Sequence, residues 1–342
     1  MRVSIYTGNH QNSTSITDPV LFLKAAFQDC GFETQINPHL IADGLNIVIE
    51  HFVDDACVQS LLNARSAGER FILIGTEPIH GGSFNGGVEN SHWHYSNSAY
   101  WKLRFDGFKV VAPLADAIWV MAQDMLAGYA DLFPAQPVRF LPHGHVSDFA
   151  SVRQRPEIER DIDFFFSGSL TAHRQRIIDT LSQSHSVVCL NQDTPEYLRQ
   201  DLLSRSKVCL SLRLSPSNAI PSVSRMHYHL QNRSFLLHEA YELPCPLDPF
   251  VLQTPTGDLI PWALAALDLP NRRELANGLH DRFKAALPMS RLLPPLLDDV
   301  LTATASGASA HLRQSGASEW CVKAVHQSSA LMSAVNASAP AP

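Results

Sequence analysis

Closely spaced cysteines are missing from this chain of 342 residues: Cys30, Cys57, Cys189, Cys209, Cys245 and Cys321 lie scattered along it. That spacing argues against both a zinc cluster and a disulfide framework. Cys189 and Cys209 fall inside apolar, strand-like runs, where a buried free thiol is ordinary. Excess positive charge is missing too. With 26 Lys and Arg against 33 Asp and Glu, the formal net charge is −7, so no surplus of cations is available to neutralise a nucleic-acid backbone. A local basic pocket for a small anion stays compatible with this balance. No apolar run reaches bilayer-spanning length, and the opening MRVSIYTGNH reads as a strand and a polar loop rather than a signal peptide. The expectation is no transmembrane segment, no nucleic-acid partner and a cytoplasmic location. Short-period internal repeats are also lacking.

What the chain does have is apolar residues, 45% of the total, enough for two sizeable cores at a length that suits two domains. In the first half, short apolar runs alternate with helical patterns. Val3–Tyr6, Leu45–Glu50, Phe71–Gly75, Ala117–Met121 and Val138–Leu141 read as strands. Helices are predicted after Asp18-Pro19 (cap and first position), from Asp54-Asp55, over Ala99–Val111 and over Asp124–Phe133. Residues 146–160 are polar, carry Pro156 and show no periodicity, which marks a linker between domains 1–145 and 161–302. Beyond, 303–342 is expected to be a helix and tail, partly disordered.

The stretch from Asp161 to Glu239 is the most ordered in pattern. Ile162–Phe166 is a strand buried on both faces, followed by the small-residue turn Ser167-Gly168-Ser169 and a helix. Thr194-Pro195-Glu196 starts another helix, with Thr as the cap. Val208–Leu212 is a strand with Arg213 just past it, and the next helix begins at Ser222 with Val223, Met226 and Leu230 as its apolar stripe. Phe235–Leu237 is a strand, with Glu239 beyond it. Three further helices follow, Leu259–Leu267, Arg272–Ala286 and Arg291–Thr302. Alternating strands and helices define an α/β class with parallel sheets, whose ligands sit where strand ends meet helix N-termini. Arg174 and Arg225 each occupy the first turn of such a helix. Two helix starts of this kind would hold a diphosphate, with Arg supplying a forked donor and Ser167, Ser169 and Ser222 adding hydroxyls. Taken singly, each Arg is as readily a solvated surface charge.

The segments FFFSGSLTAHRQRIIDTL, KVCLSLRL and SVSRMHYHLQNRSFLLHE resemble the donor domain of GT-B-fold glycosyltransferases, nearest in pattern to the bacterial family-1-like group. Relatives there carry a G-[ST]-L turn with R-x-x-I-L-x-x-L, a V-x-L-N-L strand and an F-E-x-x-R-x-x-x-L-L-x-N-x-x-x-V-x-S-E segment. Arg225 falls on the Arg of the last pattern, Asn232 on its Asn and Glu239 on its final Glu. LANGLHDRFKAAL continues the likeness weakly, and in the first half it rests on LIGTEP and VRFLPHG. The resemblance implies two facing Rossmann-like domains with a C-terminal helical segment. It also implies transfer of a sugar from a nucleotide-sugar donor to a hydroxyl acceptor (glycan, lipid or protein), with no metal and no cofactor beyond the donor itself. Ser167, Gly168, Ser169, Arg174, Arg213, Ser222, Arg225 and Glu239 are then the donor-binding candidates. One position departs from the pattern: the family acid three residues before the Arg is Ser222 here. The alternatives are a catalytically silent GT-B-like scaffold and a nucleotide-sugar epimerase on the same fold.

For the chemistry, Glu77 stands at a strand end in the first half and is the candidate base for an acceptor hydroxyl. Histidines are the rival, since imidazole titrates near neutrality: His80, His92, His94, His143 and His145 are expected to crowd the same edge, with His80 and His145 as catalytic candidates. His92-x-His94 is a conceivable metal pair, but no carboxylate or cysteine cluster accompanies it. Trp93 and Tyr95 suit stacking on a sugar or packing of the loop. Trp101, Leu103, Phe105 and Phe108 are expected to be core.

Overall fold

The computed structural model describes residues 1–10, 16–85, 97–149, 151–191, 194–218, 221–254 and 259–306. The candidates His92, Trp93, His94 and Tyr95 and the tail expected after 306 lie outside them. The chain divides into two compact units. The first takes Met1–Asp148 and, among the described residues, 288–306; the second takes Phe149–Leu287.

In the first unit the strands β1 (Arg2–Tyr6), β2 (Glu33–Asn37), β3 (Gly44–Ile49), β4 (Arg70–Gly75), β7 (Ala117–Val120) and β8 (Val138–Phe140) form a sheet ordered β2-β1-β3-β4-β7-β8. Every neighbouring pair in it is parallel. A small antiparallel hairpin, β5 (Ile79–His80) and β6 (Ser83–Phe84), follows β4. The helices are α1 (Thr17–Asp29), α2 (Asp55–Ser66), α3 (Ser98–Val111) and α4 (Leu126–Leu132). Leu45, Ile47, Val48, Phe71, Ile72, Leu73 and Ile74 are wholly buried. These central strands are apolar runs because both faces are covered, and each such side chain contributes about 1.5–3 kcal/mol on leaving water.

The second unit repeats the plan. Strands β9 (Ile162–Ser167), β10 (Val187–Leu190), β11 (Ser206–Ser211), β12 (Leu236–Glu239) and β13 (Leu252–Thr254) lie in the order β10-β9-β11-β12-β13, again all parallel. Around them run α5 (Ala172–Ser182), α6 (Glu196–Ser204), α7 (Val223–Gln231), α8 (Leu259–Leu267) and α9 (Arg272–Ala286). Phe164, Phe166, Val208, Leu210 and Leu237 pack with Ile177, Leu181, Ala263 and Leu279 as its core. Both units are therefore Rossmann-like α/β folds. In each, the strand order reverses beside the first strand, between β1 and β3 and between β9 and β11, and ligands of open α/β sheets bind at the carboxyl ends of strands at such reversals.

Several local expectations differ from what is observed. Strands β2 and β13 carry no strong sequence signal, because an edge strand such as ETQIN, mostly exposed, buries too little to need apolar residues. Helix α1 begins at Thr17 after Ile16, with no side-chain cap, so Pro19 sits inside the first turn, where its missing N–H costs nothing. At α6 the cap is Pro195 rather than Thr194, whose hydroxyl instead donates to Asn191 Oδ1. Asp54 does cap α2, accepting from the Ala56 N–H. Trp101, Phe105 and Phe108 are core, but Leu103 is 51% exposed, since positions two apart on a helix face opposite ways.

Helix α10 (Met289–Ser306) belongs to the first unit, although the sequence pattern groups it with the second. Its Met289 N–H donates to the His145 carbonyl at 2.9 Å, Cys30 Sγ approaches the Met289 carbonyl at 3.7 Å, and Arg139 pairs with Asp299 at 2.8 Å. Among the described residues no helix is long and apolar enough to cross a membrane.

Candidate functional site

At the carboxyl end of β9 the chain turns through Ser167-Gly168-Ser169. Gly168 has φ of 137°, and a Cβ built there would stand 2.5 Å from Arg225 Nη2. The positive φ favours glycine here, and the absent side chain leaves room for the guanidinium. Arg225 reaches the turn from the first turn of α7, donates from Nε to the Ser167 carbonyl at 2.9 Å and lies 5.2 Å over the Phe166 ring. Its side chain is half-buried. The positive end of the α7 dipole lies in the same place. Ser222 caps α7 without a side-chain cap bond. The turn and Arg225 thus meet at the β9/β11 reversal.

Arg174 behaves differently. Its Nε donates to the Arg213 carbonyl at 3.0 Å, Nη1 to Ser169 at 2.8 Å and Nη2 to Leu212 at 3.0 Å, and it is 4% exposed. All three nitrogens of the fork are committed to carbonyls, so the residue ties the β9–α5 turn to the β11–α7 loop and does not present a second phosphate jaw. Arg213 is likewise turned inward, with Nε and Nη2 donating to the Asn218 carbonyl at 3.1 and 2.8 Å. Arg174→Ala would leave the buried Leu212 and Arg213 carbonyls without this donor. We expect it to lower the stability of the protein by roughly 2–3 kcal/mol, read as a reduced midpoint in urea unfolding.

Glu239 ends β12 and is 5% exposed. It accepts from the Arg213 backbone N–H at 2.8 Å and lies 2.9 and 3.1 Å from His173 Nε2. His173 Nδ1 is 3.2 Å from Arg176 Nη2. Since Arg can only donate, Nδ1 accepts and Nε2 carries the proton towards Glu239. Sequence reasoning passed over His173 in favour of its neighbour Arg174, and a carboxylate 66 residues away gives no local signal. His238, beside Glu239, stacks on Tyr241 with centroids 5.2 Å apart. Among the described residues the ring nitrogens of His229 and His238 have no hydrogen-bond partner.

Burial holds His143, His229 and His238 neutral, each pushed down to about 3, with Arg225 opposing protonation of the latter two. An unfolded histidine takes its proton near 6.5. Between about 6.5 and 3 the unfolded state therefore binds more protons than the native one, and stability is lost as pH falls through that window. Urea midpoints measured from pH 7.5 down to 5 are expected to decline steadily.

In the first unit, residues at the carboxyl ends of β1, β3 and β4 that the sequence did not mark gather with Glu77, which it did. Glu77, expected at a strand end, is found there with 23% of its side chain exposed. It accepts from Asn85 Nδ2 at 2.8 Å and lies 3.4 Å from Arg104 Nη2, while its carbonyl accepts from the Tyr129 hydroxyl at 2.8 Å. Glu50 follows β3 and is fully buried, accepting from Arg104 and from the Thr76 hydroxyl. Burial pushes Glu50 up to about 7, against the pull of Arg104 and helped by the Glu77 charge. His10 stacks on His51 at 4.9 Å, and His51 Nε2 is 3.1 Å from the Tyr100 hydroxyl. His10 Nε2 is 3.3 Å from the Ile49 carbonyl, a contact only an N–H can make, which leaves Nδ1 as an acceptor.

Of the other candidate histidines, three lie among the described residues. His80 is exposed on the β5–β6 hairpin. His143 is buried and stacks on Phe22 at 4.8 Å. His145 is 9% exposed and bridges to Pro288 ahead of α10. Among the described residues no three metal-ligating side chains come together.

No protein-family model matches the sequence, and no curated protein matches it. Solved structures do match in fold. A mutant T4 phage BGT in complex with UDP-glucose superposes with a TM-score of 0.51 at 11% identity, over 88% of this chain and 99% of that one. T4 phage β-glucosyltransferase in a second structure gives 0.48 at 11%, with the same coverage. TarM gives 0.45 at 11%, over 75% of this chain, which spans 55% of the TarM chain. The fold is that of the GT-B glycosyltransferases.

Proposed function

We propose that the protein is a glycosyltransferase that moves a sugar from a nucleotide-sugar donor to a hydroxyl acceptor on a glycan, lipid or protein. The observation that carries this reading is Arg225, set by the start of α7 over the Gly168 turn at the β9/β11 reversal of a GT-B fold. Arg225 and the Gly168-Ser169 turn would hold the diphosphate, with the dipole ends of α5 and α7 offsetting its charge in place of a metal. Glu239, oriented by His173 and the Arg213 N–H, would take hydroxyls of the nucleoside or sugar. Glu77 would receive the acceptor proton. The acceptor oxygen forms its bond to the anomeric carbon, the bond from that carbon to the diphosphate breaks, and the nucleoside diphosphate leaves with the electron pair.

A second reading has one observation in its favour. Serine at 222 replaces the family acid, and its side chain makes no cap bond, as a silent donor-binding scaffold would tolerate. A screen of UDP-, GDP- and CMP-sugars, run in EDTA and read as release of nucleoside diphosphate or monophosphate, separates the two. Turnover of a donor supports the transferase, and binding without turnover across the panel supports the scaffold.

A further inference from the structure

Glu50 is wholly buried in the first unit and has no part in the scheme above. It stands one residue beyond β3, and its N–H donates to the Ile74 carbonyl of β4 at 3.0 Å. Glu50 and Glu77 therefore leave adjacent parallel strands on the same side of the sheet edge. Arg104, 7% exposed in the middle of α3, comes between them. Its Nε donates to Glu50 Oε2 at 3.0 Å and its Nη2 to Glu50 Oε1, and the same Nη2 is 3.3 Å from the Glu50 carbonyl and 3.4 Å from Thr76 Oγ1. Glu77 receives only one long contact from it, 3.4 Å from Nη2 to Oε1. One guanidinium serves two carboxylates, and it serves them unequally.

We propose that Glu50 is a positioning residue for Glu77: by occupying the fork of Arg104 it keeps the guanidinium from closing on Glu77, which is left with a carboxylate oxygen for an acceptor hydroxyl. The proposal rests on Glu77 being the base. Arginine meets a carboxylate best through two parallel N–H bonds. With Glu50 uncharged, the nearest anion for Arg104 is Glu77, already within reach. A carboxylate gripped bidentately, with Asn85 also donating to it, has few lone pairs left for a substrate proton and takes that proton less readily.

The groups facing Glu50 are Arg104 from α3, Thr76 and Glu77 beyond β4, and Tyr129 from α4; His10, stacked on His51, acts on Arg104. Protonation of Glu50, which burial places near pH 7, does to Arg104 what removal of its charge would do. Activity should therefore fall as pH drops through about 7.

The test compares wild type, E50Q and the double variant E50Q/R104M. E50Q is expected to lower kcat for donor turnover roughly 10- to 100-fold with the donor KM unchanged, and to abolish the acid limb near pH 7. Adding R104M removes the group that captures Glu77 and should restore most of the loss. A purely structural role predicts lower melting temperatures with the limb unmoved and no rescue, and that result overturns the proposal. A second arm needs no turnover. In 13C-carboxyl NMR of glutamate-labelled protein, the resonance missing from E50Q should titrate near pH 7 in wild type and at lower pH in E77Q. An unchanged midpoint in E77Q would also overturn it. Coupling by NMR in a protein that turns over no donor would instead sink the transferase reading alone.

Discussion

Arg225→Ala is expected to weaken binding of a nucleotide-sugar donor by about a hundredfold, near 2.7 kcal/mol, while the protein stays folded. Arg225 donates to the Ser167 carbonyl at 2.9 Å, and its fork lies against Gly168 and the Phe166 ring. The Ser167 carbonyl is part-buried at a strand end, where water can replace the lost donor, and the larger effect is expected on binding. Arg174→Ala should show the opposite balance, because two of its three bonds run to buried carbonyls, those of Arg213 and Leu212. Isothermal titration with a nucleoside diphosphate and urea unfolding of both variants would show whether the two arginines divide in this way. Equal donor affinity in wild type and Arg225→Ala would contradict the assignment.

Glu77→Gln is expected to reduce transfer by roughly 10²- to 10⁴-fold, the usual contribution of a positioned general base, with donor affinity unchanged. The amide keeps the shape of the side chain, and the bond from the Tyr129 hydroxyl goes to the Glu77 backbone, which the substitution leaves alone. A fall in kcat without a change in donor KM marks a group that acts on the acceptor in the transition state. If His10 or another imidazole were the base, Glu77→Gln would lose little, and the loss would follow the histidine.

The fold was legible where burial on both faces writes itself into the sequence. FILIG in β4 and FFF in β9 are unbroken apolar runs because both strands sit inside their sheets. The edge strands β2 and β13 are half-exposed or only three residues long, and nothing in ETQIN distinguishes a strand from a loop. At the site, Gly168 and Arg225 were legible as a turn and a helix start, positions with strong local requirements. The orientation of Arg174 was not, since its carbonyl partners at Leu212 and Arg213 lie 38 and 39 residues away. Glu50 and Arg104, 54 residues apart, were invisible for the same reason: a charge pair made by adjacent strands and a crossing helix has no spacing in the chain.

The most direct measurement is a crystal structure with a nucleoside diphosphate soaked in. The account predicts diphosphate oxygens within about 3 Å of the Arg225 guanidinium and of the Gly168-Ser169 backbone, with the nucleoside on the Glu239 side. A diphosphate bound elsewhere, with the Arg225 guanidinium making no contact to it, would contradict the account.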